Sequence, residues 1–153
     1  MKHLIYKIAA TVFRKIQKLL GLPTLGVRAI VLNDKKEVLL VKHSYQSGWF
    51  LPGGGVKNEE PLKTAIKREL LEEAGICVTG EIKFFASYVN KMLGAADYPF
   101  LFIIEAYSQV ESNSSEISEY RWFKYEEIPP TTSPGSQRRL KEYFNNLPPS
   151  ERW

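Results

Sequence analysis

Glu69, Glu72 and Glu73 crowd into one short stretch near the middle of the chain, beginning fourteen positions after the last of three consecutive glycines, Gly53 to Gly55. A run of glutamates is ordinarily a solvated face. At about 100° per residue, however, Leu62, Ala65 and Ile66 define the side that a helix here would bury, and Glu69 and Glu73 fall within that sector with Glu72 on its edge. Lys63, Thr64 and Lys67 already occupy the opposite side. The acids are therefore expected to turn inward, where they cannot all stay ionised without a compensating cation. All-oxygen ligation with no Cys or His nearby favours a hard ion, Mg²⁺ or Mn²⁺, over zinc. Because Mg²⁺ keeps coordination positions for waters and substrate phosphates, the expected ligand is a phosphate ester or anhydride.

The spacing is more specific than the chemistry. Gly54, five residues, Glu60, seven residues, Arg68-Glu69-Leu70, one residue, Glu72-Glu73, one residue and Gly75-Ile76 resembles the complete signature of the Nudix hydrolases, with no departure at any specified position. The resemblance implies hydrolysis of a nucleoside diphosphate linked to another moiety, with water breaking the bond between phosphates. It also implies an α/β (α+β) fold, an α/β/α sandwich in which a mixed β-sheet has the motif helix on one side and a terminal helix on the other. Glu69 and Glu73, one turn apart, are the first choices for metal ligands, and Glu72 completes the cluster or takes the proton from water. The resemblance adds the backbone carbonyl of Gly53 to the metal site and Glu116 as a loop glutamate that completes the shell or acts as base. Glu60 would contribute through a water. Arg68 is placed to orient carboxylates by charged hydrogen bonds. Two other functions compete: a nucleotide-binding regulator without turnover, and a membrane-surface module acting through the N-terminal segment.

The elements that must position these residues can be read in chain order. Asn58 with Glu59 and Glu60 suggests an N-cap and first-turn acids, with Pro61 in the first turn and Gly75 closing the helix. Upstream, residues 3–20 place Ile5, Ile8, Ala9, Val12, Ile16, Leu19 and Leu20 on one helical stripe, with Lys7, Thr11, Arg14, Lys15 and Lys18 opposite. This basic amphipathic helix, ended by Gly21 and Pro23, suits docking on the domain or a second subunit as a homodimer, an anionic membrane surface, or a targeting role.

From Leu25 the period changes to that of strands. Gly26 to Leu32 and Glu37 to His43 read as an antiparallel pair joined by a turn at Asn33 to Lys36. Trp49 and Phe50 precede the glycines, as core aromatics or a base-stacking surface. Cys77 to Asn90, Tyr98 to Tyr107 and Glu119 to Tyr125 have β character, with Lys91 to Asp97 and Gln109 to Ser118 as connecting loops. Ser133-Pro134 opens a final helix whose packing side is Leu140, Tyr143, Phe144 and Leu147. The tail after it is expected to be loose. His3 and His43 are read as structural or surface residues.

The chain has 153 residues, 44% of them hydrophobic, the size of one domain with one core. The expected organisation is a basic helix over 1–22, a Nudix hydrolase domain over 23–147 and a C-terminal tail over 148–153. A net charge of +4 suits an anionic, nucleotide-type small molecule. Capped RNA offers the same diphosphate, but no RNA-binding motif accompanies it. The single cysteine, Cys77, excludes an intrachain disulfide, and no stretch reaches the roughly 18 apolar residues of a membrane span, so a reducing cytoplasm is the expected compartment.

Overall fold

The computed structural model describes residue 16 and residues 19–92 and 94–153. Apart from Ile16, Leu19 and Leu20, the helix expected over residues 3–20 lies outside the described residues, as does His3.

The central sheet is built on two strands. β1 (Thr24–Val31) runs parallel to β7 (Ala95–Ile104), with Val27 opposite Phe100 and Val31 opposite Ile104. On the other side of β1 lies the antiparallel glycine strand β3 (Gly53–Gly55), and β7 is flanked by antiparallel β5 (Ile82–Ser87) and β6 (Asn90–Met92). The sheet is therefore mixed, in the order β3-β1-β7-β5.

Alternation along β1 and β7 sorts their side chains between two apolar layers. Val27, Ala29, Val31, Phe102 and Ile104 pack with Ala65, Ile66, Leu70 and Ala74 of helix α1 (Leu62–Ala74). Ile30, Leu32, Leu101 and Ile103 pack with Leu140 of helix α2 (Pro134–Phe144). One helix on each face of a mixed sheet is the sandwich that the resemblance implied.

Strand positions matched their partners less well. The turn at Asn33 to Lys36 forms, with the Asn33 side-chain oxygen accepting from the Lys35 and Glu37 amides. Beyond the Leu32 to Val38 bridge, however, β1 and β2 (Val38–His43) separate, and β2 pairs antiparallel with β9 (Ile117–Phe123). Residues 91–97, expected as a loop, supply part of the β6/β7 hairpin. Two short strands, β4 (Ile76–Val78) and β8 (Tyr107–Gln109), form a separate antiparallel pair behind α1.

Ser133 caps α2 as expected, its hydroxyl accepting from the Ser136 amide with Pro134 at the first helical position. Leu147 falls past the end of the helix and is exposed, so it is not part of the packing side. The tail is docked. The Val89 amide donates to the Glu151 carbonyl, the Trp153 amide donates to the Val89 carbonyl, and the Trp153 ring lies edge-on to Tyr88. Among the described residues no helix is long and apolar enough to cross a membrane.

Candidate active site

The glycines matter because α1 lies against them. The Gly53 amide donates to the Glu73 carboxylate at 2.8 Å, and a Cβ on Gly54 would come within 2.5 Å of the Glu69 carboxyl carbon. Gly53 itself has φ 138° and faces Val27 and Arg28 of β1 so closely that a side chain would collide with the Val27 carbonyl. A bare backbone strand thus lets two carboxylates of one helical face reach the sheet.

Both carboxylates turn inward, as the helical period predicted, Glu73 buried and Glu69 partly buried. Glu73 is 8% exposed, and burial pushes its pKa up to about 8 against the single favourable hydrogen bond from Gly53. Burial also raises Glu69, which the Arg68 guanidinium partly offsets. Glu72 is different: its side chain is 57% exposed, on the edge of the face.

Arg68 joins the motif into one network. It holds Glu60 in a two-point pair, Nε to Oε1 and Nη2 to Oε2, both at 2.8 Å. It also donates from Nη1 to Glu69 at 2.6 Å and from Nη2 to the Gly55 carbonyl at 3.1 Å, and its Nη1 lies 3.7 Å from Glu72. Glu60 further accepts from the Lys57 amide, and Glu59 takes a left-handed φ of 56°. These contacts make residues 57–60 a turn that belongs to the site rather than the start of the helix. The N-cap is accordingly Pro61, with no acid in the first turn, instead of the expected Asn58. Gly75 closes the helix as expected, with φ 65° and its amide shared between the Leu70 and Leu71 carbonyls.

The Arg68 hydrogen bonds depress the pKa of Glu60 to about 2, from an ordinary 4.5. A depressed carboxylate stabilises the fold fully above its unfolded pKa and loses that contribution as pH falls through the folded value. The stability gap between the parent and Glu60→Gln should therefore be widest above pH 4.5 and close as pH falls toward about 2. Urea unfolding at a series of pH values checks this, and a gap independent of pH would contradict it.

The loop after β8 is stitched to the end of α1. Gln109 Nε2 donates to the Ala74 carbonyl, the Val110 amide to the Gly75 carbonyl, and the Ser112 hydroxyl to the Glu72 and Glu73 carbonyls. Farther along, the Ser44 amide donates to the Glu116 carbonyl at 2.9 Å. Glu116 is exposed, yet its charge acts on both Glu73 and His43. A residue distant in sequence thus comes within electrostatic reach of the acidic helix.

Two residues electrostatically linked to this region were missed. Arg28 is directly opposite Gly53, its Nη1 donates to the Val27 carbonyl, and its charge acts on Glu69, Glu73 and His43. His43, read as structural, has a buried Nδ1 without a hydrogen-bond partner, and burial lowers its pKa, with Arg28 adding to the effect. Its ring lies 5.1 Å from Tyr45 and 5.3 Å from Phe50. Only the cross-strand register, which periodicity does not specify, could have brought Arg28 to the glycines. Trp49 is core, edge-on to Phe123 at 5.1 Å.

The donor set suits a hard cation. A buried and a partly buried carboxylate share one face, desolvation disfavours the charge of both, and the Arg68 guanidinium is divided among Glu60, Glu69 and Glu72. They are not drawn into a closed cage. Among the described residues no three His, Cys, Asp or Glu side chains converge as a metal cluster.

Comparison with known proteins identifies the family and the fold. The NUDIX domain profile matches residues 22–144. A Bacillus subtilis (strain 168) protein with a provisional 8-oxo-dGTP diphosphatase name is 29% identical over 122 residues, 80% of each chain. The NAD-capped RNA hydrolase NudC of Vibrio cholerae is 30% identical over 118 residues, 72% of this chain but 41% of that protein. Among solved structures, a MutT protein from Methanosarcina mazei Go1 superimposes with a TM-score of 0.68 at 29% identity, over 81% of this chain and 94% of that one. A MutT NUDIX hydrolase from Burkholderia pseudomallei gives 0.69 at 23% identity, over 78% and 96%, which shows the fold. With the glycine strand, the acidic helix and the sandwich in place, this chain belongs to the NUDIX family of pyrophosphohydrolases.

Proposed function

We propose that this protein hydrolyses the bond between phosphates of a nucleoside diphosphate linked to another moiety, with Mg²⁺ or Mn²⁺ held by Glu69, Glu72, Glu73 and the Gly53 carbonyl, and with Glu60 acting through a water. The observation that carries the reading is the packing of buried Glu73 and partly buried Glu69 against a strand with no side chains. When bound, such a cation neutralises the diphosphate and makes water easier to deprotonate.

The rest is the work of the chain itself. Arg68, anchored at two points by Glu60, fixes the Glu69 carboxylate in one orientation. Glu72 and Glu116, both exposed, are the carboxylates offered as proton acceptors. A nucleotide-binding regulator without turnover would have no use for the complete acid set. The free thiol of Cys77 suits a reducing cytoplasm.

The relatives named above supply part of the substrate panel: 8-oxo-dGTP and NAD-capped RNA, beside ADP-ribose, nucleotide sugars and dinucleotide polyphosphates. With Mg²⁺ present, at least one should yield two phosphate-bearing products, and EDTA should abolish the reaction. No turnover of any member with either Mg²⁺ or Mn²⁺ would overturn the proposal.

A further inference from the structure

The basic character of this protein does not belong to its catalytic domain. Residues 1–22 contain five cations (Lys2, Lys7, Arg14, Lys15 and Lys18) and no acid, and the first acidic residue of the whole chain is Asp34. That segment carries +5 of a total of +4, which leaves the rest of the chain at −1. A cationic field meant for the substrate would lie around the cleft, yet the excess is confined to a segment that supplies none of the site residues.

The same segment has an apolar stripe at helical spacing, through Ile5, Ile8, Val12, Ile16, Leu19 and Leu20. Its last residues are not covered by the domain. Leu19 is 87% exposed and Leu20 67%, and Ile16, Leu22 and Leu25 are exposed as well. An apolar stripe whose charged neighbours are all cations matches a surface that is anionic above and apolar beneath. Nucleic acid would satisfy the cations but leave the leucines in water, whereas pairing two copies would bring two +5 segments together.

We infer that residues 3–20, continued by Leu22 and Leu25, bind the protein peripherally to an anionic lipid surface. The catalytic helix stays in the aqueous phase. The inference does not depend on which diphosphate is cleaved, since it concerns where the domain is held.

The test is cosedimentation of the full chain with phosphatidylglycerol/phosphatidylcholine vesicles and with pure phosphatidylcholine vesicles. Binding is expected only to the anionic vesicles and should weaken steeply between low and high salt. Two full-length variants separate the contributions: Leu19→Glu with Leu20→Glu, at exposed positions where the fold is unaffected, and Arg14→Glu with Lys15→Glu and Lys18→Glu. Removing one surface cation weakens partitioning about fivefold, so the triple reversal should reduce it by roughly a hundredfold or more. The leucine pair should likewise release the protein, with hydrolysis in free solution unchanged for both variants.

The inference would be overturned by no sedimentation with anionic vesicles, by binding that survives Leu19→Glu with Leu20→Glu, or by a stable dimer in analytical ultracentrifugation that the leucine variant dissociates. Retention of a single-stranded RNA in place of vesicles would do so too.

Discussion

Glu73→Gln should lower turnover on the order of a thousandfold, the scale for removing one electrostatic group from a catalytic centre, while making the metal-free protein more stable at pH 7. The two effects have one cause. The carboxylate is 8% exposed, its one hydrogen bond comes from the Gly53 amide, and burial raises its pKa to about 8.

A carboxyl raised in the fold favours folding below its unfolded pKa, here 4.5, where it is neutral in both states. As pH rises from 4.5 toward 8 the unfolded chain ionises and the folded one resists, so stability falls across that window. At pH 7 the loss is on the order of 3 kcal/mol, from 1.36 kcal/mol for each pKa unit. Gln stays neutral and can still accept from Gly53. Thermal melts in EDTA should therefore show the variant well above the parent at pH 7 and near it at pH 4. Adding Mg²⁺ should raise the melting point of the parent and leave the variant where it was. Parent-like turnover in the variant, or a variant less stable than the parent at pH 7 without metal, would refute the assignment.

Arg139→Met should cost about 3–5 kcal/mol of stability, the range for leaving one partner of a buried pair alone. Arg139 is 0% exposed. Its Nη2 lies 2.7 Å from Glu142 Oε1 and its Nη1 donates to the Arg152 carbonyl at 2.8 Å. The guanidinium also sits over the Tyr88 ring at 4.2 Å and the Trp153 ring at 5.4 Å. Glu142 in turn accepts from the Tyr88 hydroxyl and the Ser150 amide. Removing the cation strands a buried carboxylate and cuts the hold of α2 on the C-terminal segment.

Because two causes coincide, a second variant is needed. Arg139→Met with Glu142→Leu removes both charges, and apolar replacement of a whole buried pair is often close to neutral. Urea unfolding of the parent, both single variants and the double variant gives the coupling energy. A double variant much less destabilised than Arg139→Met assigns the loss to the stranded charge. Equal losses would assign it to the contacts with Arg152 and Trp153.

The acidic helix was legible because its code is local. Period 3.6 turned Glu69 and Glu73 inward and left Glu72 at the edge, and Gly is the residue that takes at least cost the left-handed conformation that Gly75 adopts at the helix end. Its start was not legible. Glu60, which a first turn would recruit, is instead claimed by Arg68, eight residues on. Strand positions were likewise readable from residue type, but their partners were not. The turn after β1 promised a hairpin, yet β1 joined β7 and β2 joined β9, because pairing depends on which faces the two helices bury. The tail looked loose because its composition is polar and proline-rich. Its order comes from Val89 and Arg139, far away in sequence.

By itself, the sequence determined the acids, their spacing, the helix that carries them and hence the family, because each depends on residues within one or two helical turns. It also determined where the positive charge lies. Only the tertiary structure decided that Gly53 and Gly54 lie against Glu73 and Glu69, that Arg28 comes opposite Gly53, that the charge of Glu116 reaches Glu73 and His43, and that Arg139 fastens the C-terminal segment. These relations join residues distant along the chain, and the free energy that selects them belongs to the packed sandwich as a whole.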